Sequence, residues 1–110
     1  METGSRLKLV WFVPESALNT TREAVFEAGG GTIGHYRRCS WYTLGEGTFL
    51  PAAGADPTIG TVGKEERVDE YRVETVVPAE FAPHAVEALI AAHPYEEVAF
   101  ELYPLAELEP

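Results

Sequence analysis

Cysteine is almost missing from this sequence: Cys39 is the only one among 110 residues. A lone cysteine closes no internal disulfide, so nothing calls for an oxidising compartment and the cytoplasm is the expected location. Long apolar runs are missing as well. No stretch approaches the ~20 residues that cross a bilayer, and residues 1–6 lack the charged-then-apolar order of a secretory leader. No membrane association is expected, and residues 1–6 read as a disordered terminus. Positive charge is scarce: eight Lys and Arg stand against eighteen Asp and Glu, a net charge of -10. Such a chain repels phosphate backbones and anionic lipid, which argues against nucleic acid as a partner and is compatible with cations, basic protein surfaces or simple solubility. Close metal-ligand spacings such as CxxC or HxxxH are absent. The phosphate-binding loop fails too, because Thr58 stands where its first glycine belongs and Glu65 follows Lys64 where Ser or Thr is needed.

What is present is a compact-domain composition, 45% apolar and 11% aromatic, at a length that suits one domain. That domain is expected over residues 7–105, with a long loop at 45–64 and a short tail at 106–110. Residues 7–13 (LKLVWFV) read as a strand stopped by Pro14, and residues 15–28 carry Leu18, Thr21, Val25 and Ala28 at helical spacing before three glycines end the helix. Sixty-four positions later the pattern returns: residues 72–77 (RVETVV) run into Pro78 and a helix over residues 79–93. At that offset Leu18 matches Ala82, Val25 matches Leu89, Phe26 matches Ile90 and Ala28 matches Ala92, so one inward stripe is written twice. A further strand follows each helix, at residues 34–44 and 97–103. The order βαββαβ with right-handed crossovers predicts an α+β, ferredoxin-like sandwich, an antiparallel sheet with both helices on one face.

In such a fold the second sheet face meets water, yet the first strand points Val10 and Phe12 to the side opposite Leu9, Trp11 and Val13. Something must cover that side. Either a second copy of the chain does so, which predicts a homo-oligomer, or the 45–64 loop folds back. The third strand turns Tyr71, Val73, Thr75 and Val77 one way and Glu70, Arg72 and Glu74 the other, with Arg37 and Arg38 of the second strand as expected partners. These charges would set subunit register or line a polar cleft between subunits.

His93 either caps helix carbonyls as a cation or binds a metal. As a ligand its companions are His35, Cys39, Glu96 and Glu97, a mixed N, S and O donor set that would suit a divalent ion as cofactor. His35, Arg37 and Cys39 alternate onto one face of the expected second strand. No orienting group or oxyanion donors accompany the Cys-His pair, so no catalytic residue is assigned and Cys39 reads as structural. Nucleotide binding through Lys64, Arg67 and Arg72 is opposed by Glu65, Glu66, Asp69 and Glu70; the glycines of the long loop read as turns, with Phe49, Leu50 and Ile59 pinning it to a neighbour.

The segments Gly34-His35-Tyr36, Gly45-Glu46-Gly47-Thr48-Phe49-Leu50-Pro51, Gly54-Ala55-Asp56-Pro57, Glu65-Glu66-Arg67-Val68 and His93-Pro94-Tyr95-Glu96-Glu97 together resemble the YqfO family over residues 7–105. In larger members of that Nif-like superfamily a domain of this kind is inserted into a two-metal α/β protein. The His-rich domain has no counterpart here, so hydrolase or cyclohydrolase activity is not expected to carry over. The inserted domain is similar in fold to CutA and PII proteins, which the resemblance implies are trimers with sheets inward. CutA proteins also carry a motif like His93 to Glu96, and their inter-subunit clefts are proposed ligand or metal sites. The resemblance thus implies a non-enzymatic homotrimer. It would bind a small ligand or divalent cation in those clefts, through Arg37, Glu70, Arg72, Glu74 and Tyr95 for a ligand, or dock on a partner protein. An enzyme completed at the subunit interface and a purely structural scaffold are the other readings.

Overall fold

A computed structural model describes residues 5–108; the outer parts of the expected terminus and tail, residues 1–4 and 109–110, lie outside the described residues. Strand β1 (Arg6–Val13) stops at Pro14, whose extended backbone (φ -68°) leads through a 3-10 turn (Glu15–Ala17) into helix α1 (Leu18–Glu27). The same events recur where strand β3 (Glu66–Pro78) meets a 3-10 turn (Ala79–Phe81) and helix α2 (Ala82–Ala92). Proline explains both junctions: its ring fixes φ and its missing N–H cannot extend a strand ladder. Strands β2 (Trp41–Phe49) and β4 (Phe100–Pro104) complete an antiparallel sheet of order β2-β3-β1-β4. Both helices pack on one face, the arrangement read from the 64-residue repeat.

The repeat also marks the core. Leu18 and Ala82, Thr21 and Ala85, Val25 and Leu89 are buried at matching positions against Leu9, Trp11, Val13, Val73 and Val77 of the sheet. Trp11 is fully buried, and its Nε1–H donates to Thr21 Oγ1 at 3.0 Å while the Thr21 hydroxyl donates to Ala17 O at 2.8 Å. Leaving that indole N–H unmet would cost about 1–3 kcal/mol. Phe26 and Ile90 do not join the stripe as the repeat suggests. One residue beyond Val25 and Leu89 is about 100° of helix rotation, which leaves Ile90 47% exposed and Phe26 half-buried under the guanidinium groups of Arg22 and Arg38.

Several strand boundaries differ from the sequence reading, β3 among them, which starts at Glu66 rather than Arg72. Residues 34–40, expected to open the second strand, form a loop because Gly34 and Arg38 take left-handed conformations (φ 59° and 60°) that break an extended run. That loop is tied to β3 through Gly31 N–H to Val76 O (2.8 Å) and Thr75 Oγ1–H to Cys39 O (2.6 Å). Strand β2 continues instead to Phe49, through the first five residues of the expected loop, in register with β3 from Trp41 opposite Glu74 to Phe49 opposite Glu66. Since β1 pairs only with residues 71–78 of β3, the β2–β3 ribbon projects past the rest of the sheet and stretches the molecule to 51 Å. The last strand likewise begins at Phe100, after a bend at residues 95–97.

The second face of β1 finds much of its cover within the chain. Val10 is 1% exposed although no helix lies over it; its register neighbours on that face are Glu74 and Glu101, with Lys8 and Arg72 beside them. Long charged side chains can bury apolar surface under their stems. Phe12 is overlaid by the Arg72 guanidinium and borders a cavity closed by residues 50–59, so the fold-back of the long loop accounts for that end of the strand.

Candidate functional site

From the tip of the ribbon the chain turns back on itself. The loop neck is tied by Gly63 N–H to Pro51 O at 2.7 Å, and the loop reaches the segment after α2 through Asp56 N–H to Glu96 Oε1 (3.1 Å) and Thr58 Oγ1–H to Pro94 O (3.1 Å). Between loop, ribbon and segment 95–99 lies a cavity of about 360 Å³, within the size range of small-molecule sites. Its walls are mostly apolar: Phe12, Phe49, Leu50, Pro51, Ala55, Pro57, Ile59 and Ala99.

Two polar groups stand out in this apolar setting. The Glu70 carboxyl projects from β3 beside Gly47, where a Cβ would lie 2.1 Å from Glu70 Oε2, so the glycine provides the room the carboxyl occupies. Glu70 makes no hydrogen bond or ion pair among the described residues, and burial raises its pKa above the usual carboxylate value. Tyr95 Oη is buried and has no hydrogen-bond partner among the described residues. Burial, then the nearby charge of Glu70, raise the Tyr95 pKa. Buried polar groups are seldom left without a partner in a folded protein.

His93 holds this wall in place. Its ring is buried, Nε2 lies 2.7 Å from Phe12 O, and Nδ1 accepts the Tyr95 N–H at 3.1 Å. Since a carbonyl can only accept, the proton sits on Nε2 and the ring is neutral; burial lowers its pKa below 6.5, against the opposing pull of the Phe12 bond. The Tyr95 ring rests edge-on against it at 4.9 Å. His93 is thus neither a cationic helix cap nor an open donor. A metal could take it only by displacing one of these two bonds.

Of the residues singled out from sequence, Glu70, Tyr95, Glu96 and Glu97 meet at this cavity. Arg72 and Glu74 lie next to it on the same sheet face, with Arg72 Nε–H donating to Glu74 Oε2 at 2.9 Å and Lys8 Nζ 3.5 Å from Glu74 Oε1. The expected pairing of β3 charges with Arg37 and Arg38 does not form: Arg37 is exposed in the 29–40 loop, and Arg38 pairs with Glu23 of α1. His35 is exposed in that loop too, and the Cys39 thiol meets only Arg37 O at 3.9 Å. Their expected alternation on one strand face is lost with the strand. Among the described residues no three His, Cys, Asp or Glu side chains gather as a metal would require, so His35, Cys39, His93, Glu96 and Glu97 do not converge within one chain. The sequence reading missed Phe12 and Gly47 as parts of the site. It had Phe49, Leu50 and Ile59 pinning the loop to a neighbour, whereas they line the chain's own cavity.

No family model matches the chain. It is 51% identical over 98 residues to a protein of Mycobacterium tuberculosis named GTP cyclohydrolase 1 type 2 homolog; that match covers 89% of this chain and 26% of the relative. The chain therefore spans about a quarter of the length of the curated relatives it matches. Among solved structures, a Bacillus cereus protein related to NIF3 superposes with TM-score 0.84 at 39% identity, over 97% of this chain and 27% of that one. CutA from Archaeoglobus fulgidus, described as a periplasmic divalent cation tolerance protein, matches at TM-score 0.69 and 12% identity over 94% of this chain and 87% of its own. GlnK from Bacillus subtilis, solved with ATP, matches at 0.62 and 10% over 94% and 86%. At such identities the last two show the fold alone: it is ferredoxin-like, of the CutA and PII type.

Proposed function

We propose, with similarity to a NIF3-related domain and a CutA-type fold as premises, that this chain is a non-catalytic ligand-binding module. It assembles as a homotrimer and takes up a small molecule in the Glu70–Tyr95 cavity. The observation that carries the reading is the buried Tyr95 hydroxyl, without a partner among the described residues, together with the part-buried, unpaired Glu70 carboxyl, at a mostly apolar cavity. A buried phenol without a partner disfavours the empty state, and a ligand that supplies its hydrogen bond while pairing with the part-buried carboxyl recovers the difference. The relatives' name belongs to proteins of which this chain spans 26%, so their whole activity is not assigned to it. The engagement of both His93 nitrogens in the frame also supports binding over acid-base chemistry.

Self-association is supported by the bare sheet face and the open edges. Strands β2 and β4 are both terminal in the sheet, and on the face away from the helices Trp41 is 59% and Tyr103 45% exposed. The cavity opens on that side, so assembled copies would neighbour it. A divalent-cation site would need donors from more than one copy.

Native mass spectrometry at micromolar concentration tests the assembly, with a trimer expected and a monomer contradicting it. For the pocket, a fragment collection is titrated into labelled protein by two-dimensional NMR. Hits should shift the amides of Gly47, Tyr95 and residues 50–59 and weaken in Gly47→Ala, whose new methyl displaces the Glu70 carboxyl. Binding confined to other surfaces would remove the reading. Metal analysis of untagged protein tests the cation version, which stands only on a stoichiometric metal that is lost on His35→Ala or Cys39→Ala substitution.

A further inference from the structure

Three carboxylates, Glu70, Glu96 and Glu97, border the cavity, and among the described residues no Lys, Arg or His does. Glu96 already accepts the Asp56 N–H, which leaves Glu70 as the inward anionic group with nothing opposite it. The cations nearest along the sheet are spent: Lys8 and Arg72 both serve Glu74. Among the described residues no cation pairs with Glu70, which leaves that role to a group from outside the chain. Anions are repelled by all three carboxylates. A bare divalent ion is a poor match, because it needs six or more oxygens and most of the lining is hydrocarbon. Phe12, Phe49 and Tyr95 present aromatic rings, and aromatic faces attract ammonium groups.

We propose that the pocket selects a monovalent organic cation, a primary ammonium on a flat apolar body, with Glu70 as ion-pair partner and Tyr95 Oη as a second hydrogen-bond acceptor. The ammonium has three N–H groups and no acceptor, which suits two oxygens that lack partners among the described residues, while the apolar body displaces water from the hydrocarbon walls. This rests on the proposed ligand-binding function and adds the class of ligand.

The probes are phenethylammonium, its near-isostere phenethyl alcohol, and phenylacetate. Each is titrated by NMR into the wild-type protein, Glu70→Gln and Tyr95→Phe. Expected is binding of phenethylammonium at the cavity amides at least about ten-fold tighter than the alcohol, an advantage lost in Glu70→Gln and reduced in Tyr95→Phe, with phenylacetate weakest. If the alcohol or phenylacetate binds the same amides as tightly as the amine, the cation assignment is overturned while the ligand pocket stands. If no fragment and no probe reaches those amides, the ligand-binding reading fails with it. If Glu70→Gln breaks up the assembly in native mass spectrometry, the cation is a side chain of a second copy and the small-ligand proposal is overturned. The spectrum of each variant shows whether it remains folded.

Discussion

Glu74 and Glu70 sit four residues apart on the same strand and the same sheet face, and the molecule treats them in opposite ways. Glu74 accepts hydrogen bonds from Arg72 and Lys8; the Arg72 bond foremost holds its pKa below 4.5 despite some burial. Glu70 has no cation, faces apolar groups, and has its pKa raised by burial alone. One end of the bare sheet face is closed by its own charges, and the other is left electrostatically unfinished. Proteins keep such unmet groups mainly where function needs them. The contrast therefore separates a self-paired half of this face from the half that borders the proposed ligand site.

The largest expected effect falls on the piece that joins the two halves. His93→Ala removes the bonds to Phe12 O and Tyr95 N and leaves a cavity, and urea denaturation should show a loss of about 2–4 kcal/mol. Its pH signature has a definite sign. With a folded pKa below 6.5, neutral His93 contributes stability that is present above that value and is lost as the pH falls towards the folded pKa. The wild type should lose this contribution in mild acid, whereas His93→Ala should not.

Next comes Tyr95→Phe, which deletes a buried hydroxyl that no described residue satisfies. The free protein should gain up to about 1 kcal/mol; a comparable loss in thermal or chemical melts would mean that the hydroxyl has a partner and the unfinished half is finished after all. Glu70→Gln should also stabilise the free protein near neutrality, by less than about 1 kcal/mol because the carboxyl is only partly desolvated. A carboxyl whose folded pKa is raised burdens the fold above that pKa, and the burden lifts as the pH falls to 4.5, the ordinary value. The advantage of glutamine should fade over the same window. Glu74→Gln is the mirror case and the smallest effect: about 0.5 kcal/mol lost at neutral pH, weaker in high salt, and absent once the pH has dropped below the lowered pKa. Equal responses of the two glutamate variants in parallel pH-dependent melts would erase the distinction between the halves.

Much of the frame was legible in the order of residues. The two prolines, the apolar strands before them and the helical stripes after them report local amphipathicity, which short-range periodicity records directly. Glu70, Arg72 and Glu74 were assigned to one face by simple alternation, and the register confirms it. Their partners were not legible. Arg37 and Arg38 were placed opposite them on the assumption that residues 34–44 stay extended, and the left-handed Arg38 together with the Thr75 anchor on Cys39 O removes that assumption. His93 was read as a cap or a ligand because its spacing after α2 is visible, while its contact with Phe12, 81 positions away, is not.

The sequence by itself determined a doubled strand-helix unit, the core written at positions 64 apart, and an acidic balance that leaves carboxylates in excess of cations. Only the tertiary structure decided which carboxylate would face an apolar cavity without a cation beside it. That depended on three long-range events: the ribbon extending to Phe49, the loop returning to Pro94 and Glu96, and His93 fixing Tyr95 beside Glu70. Each closes a chain segment against a distant one. The free energy of such closure lies in contacts that local periodicity does not encode.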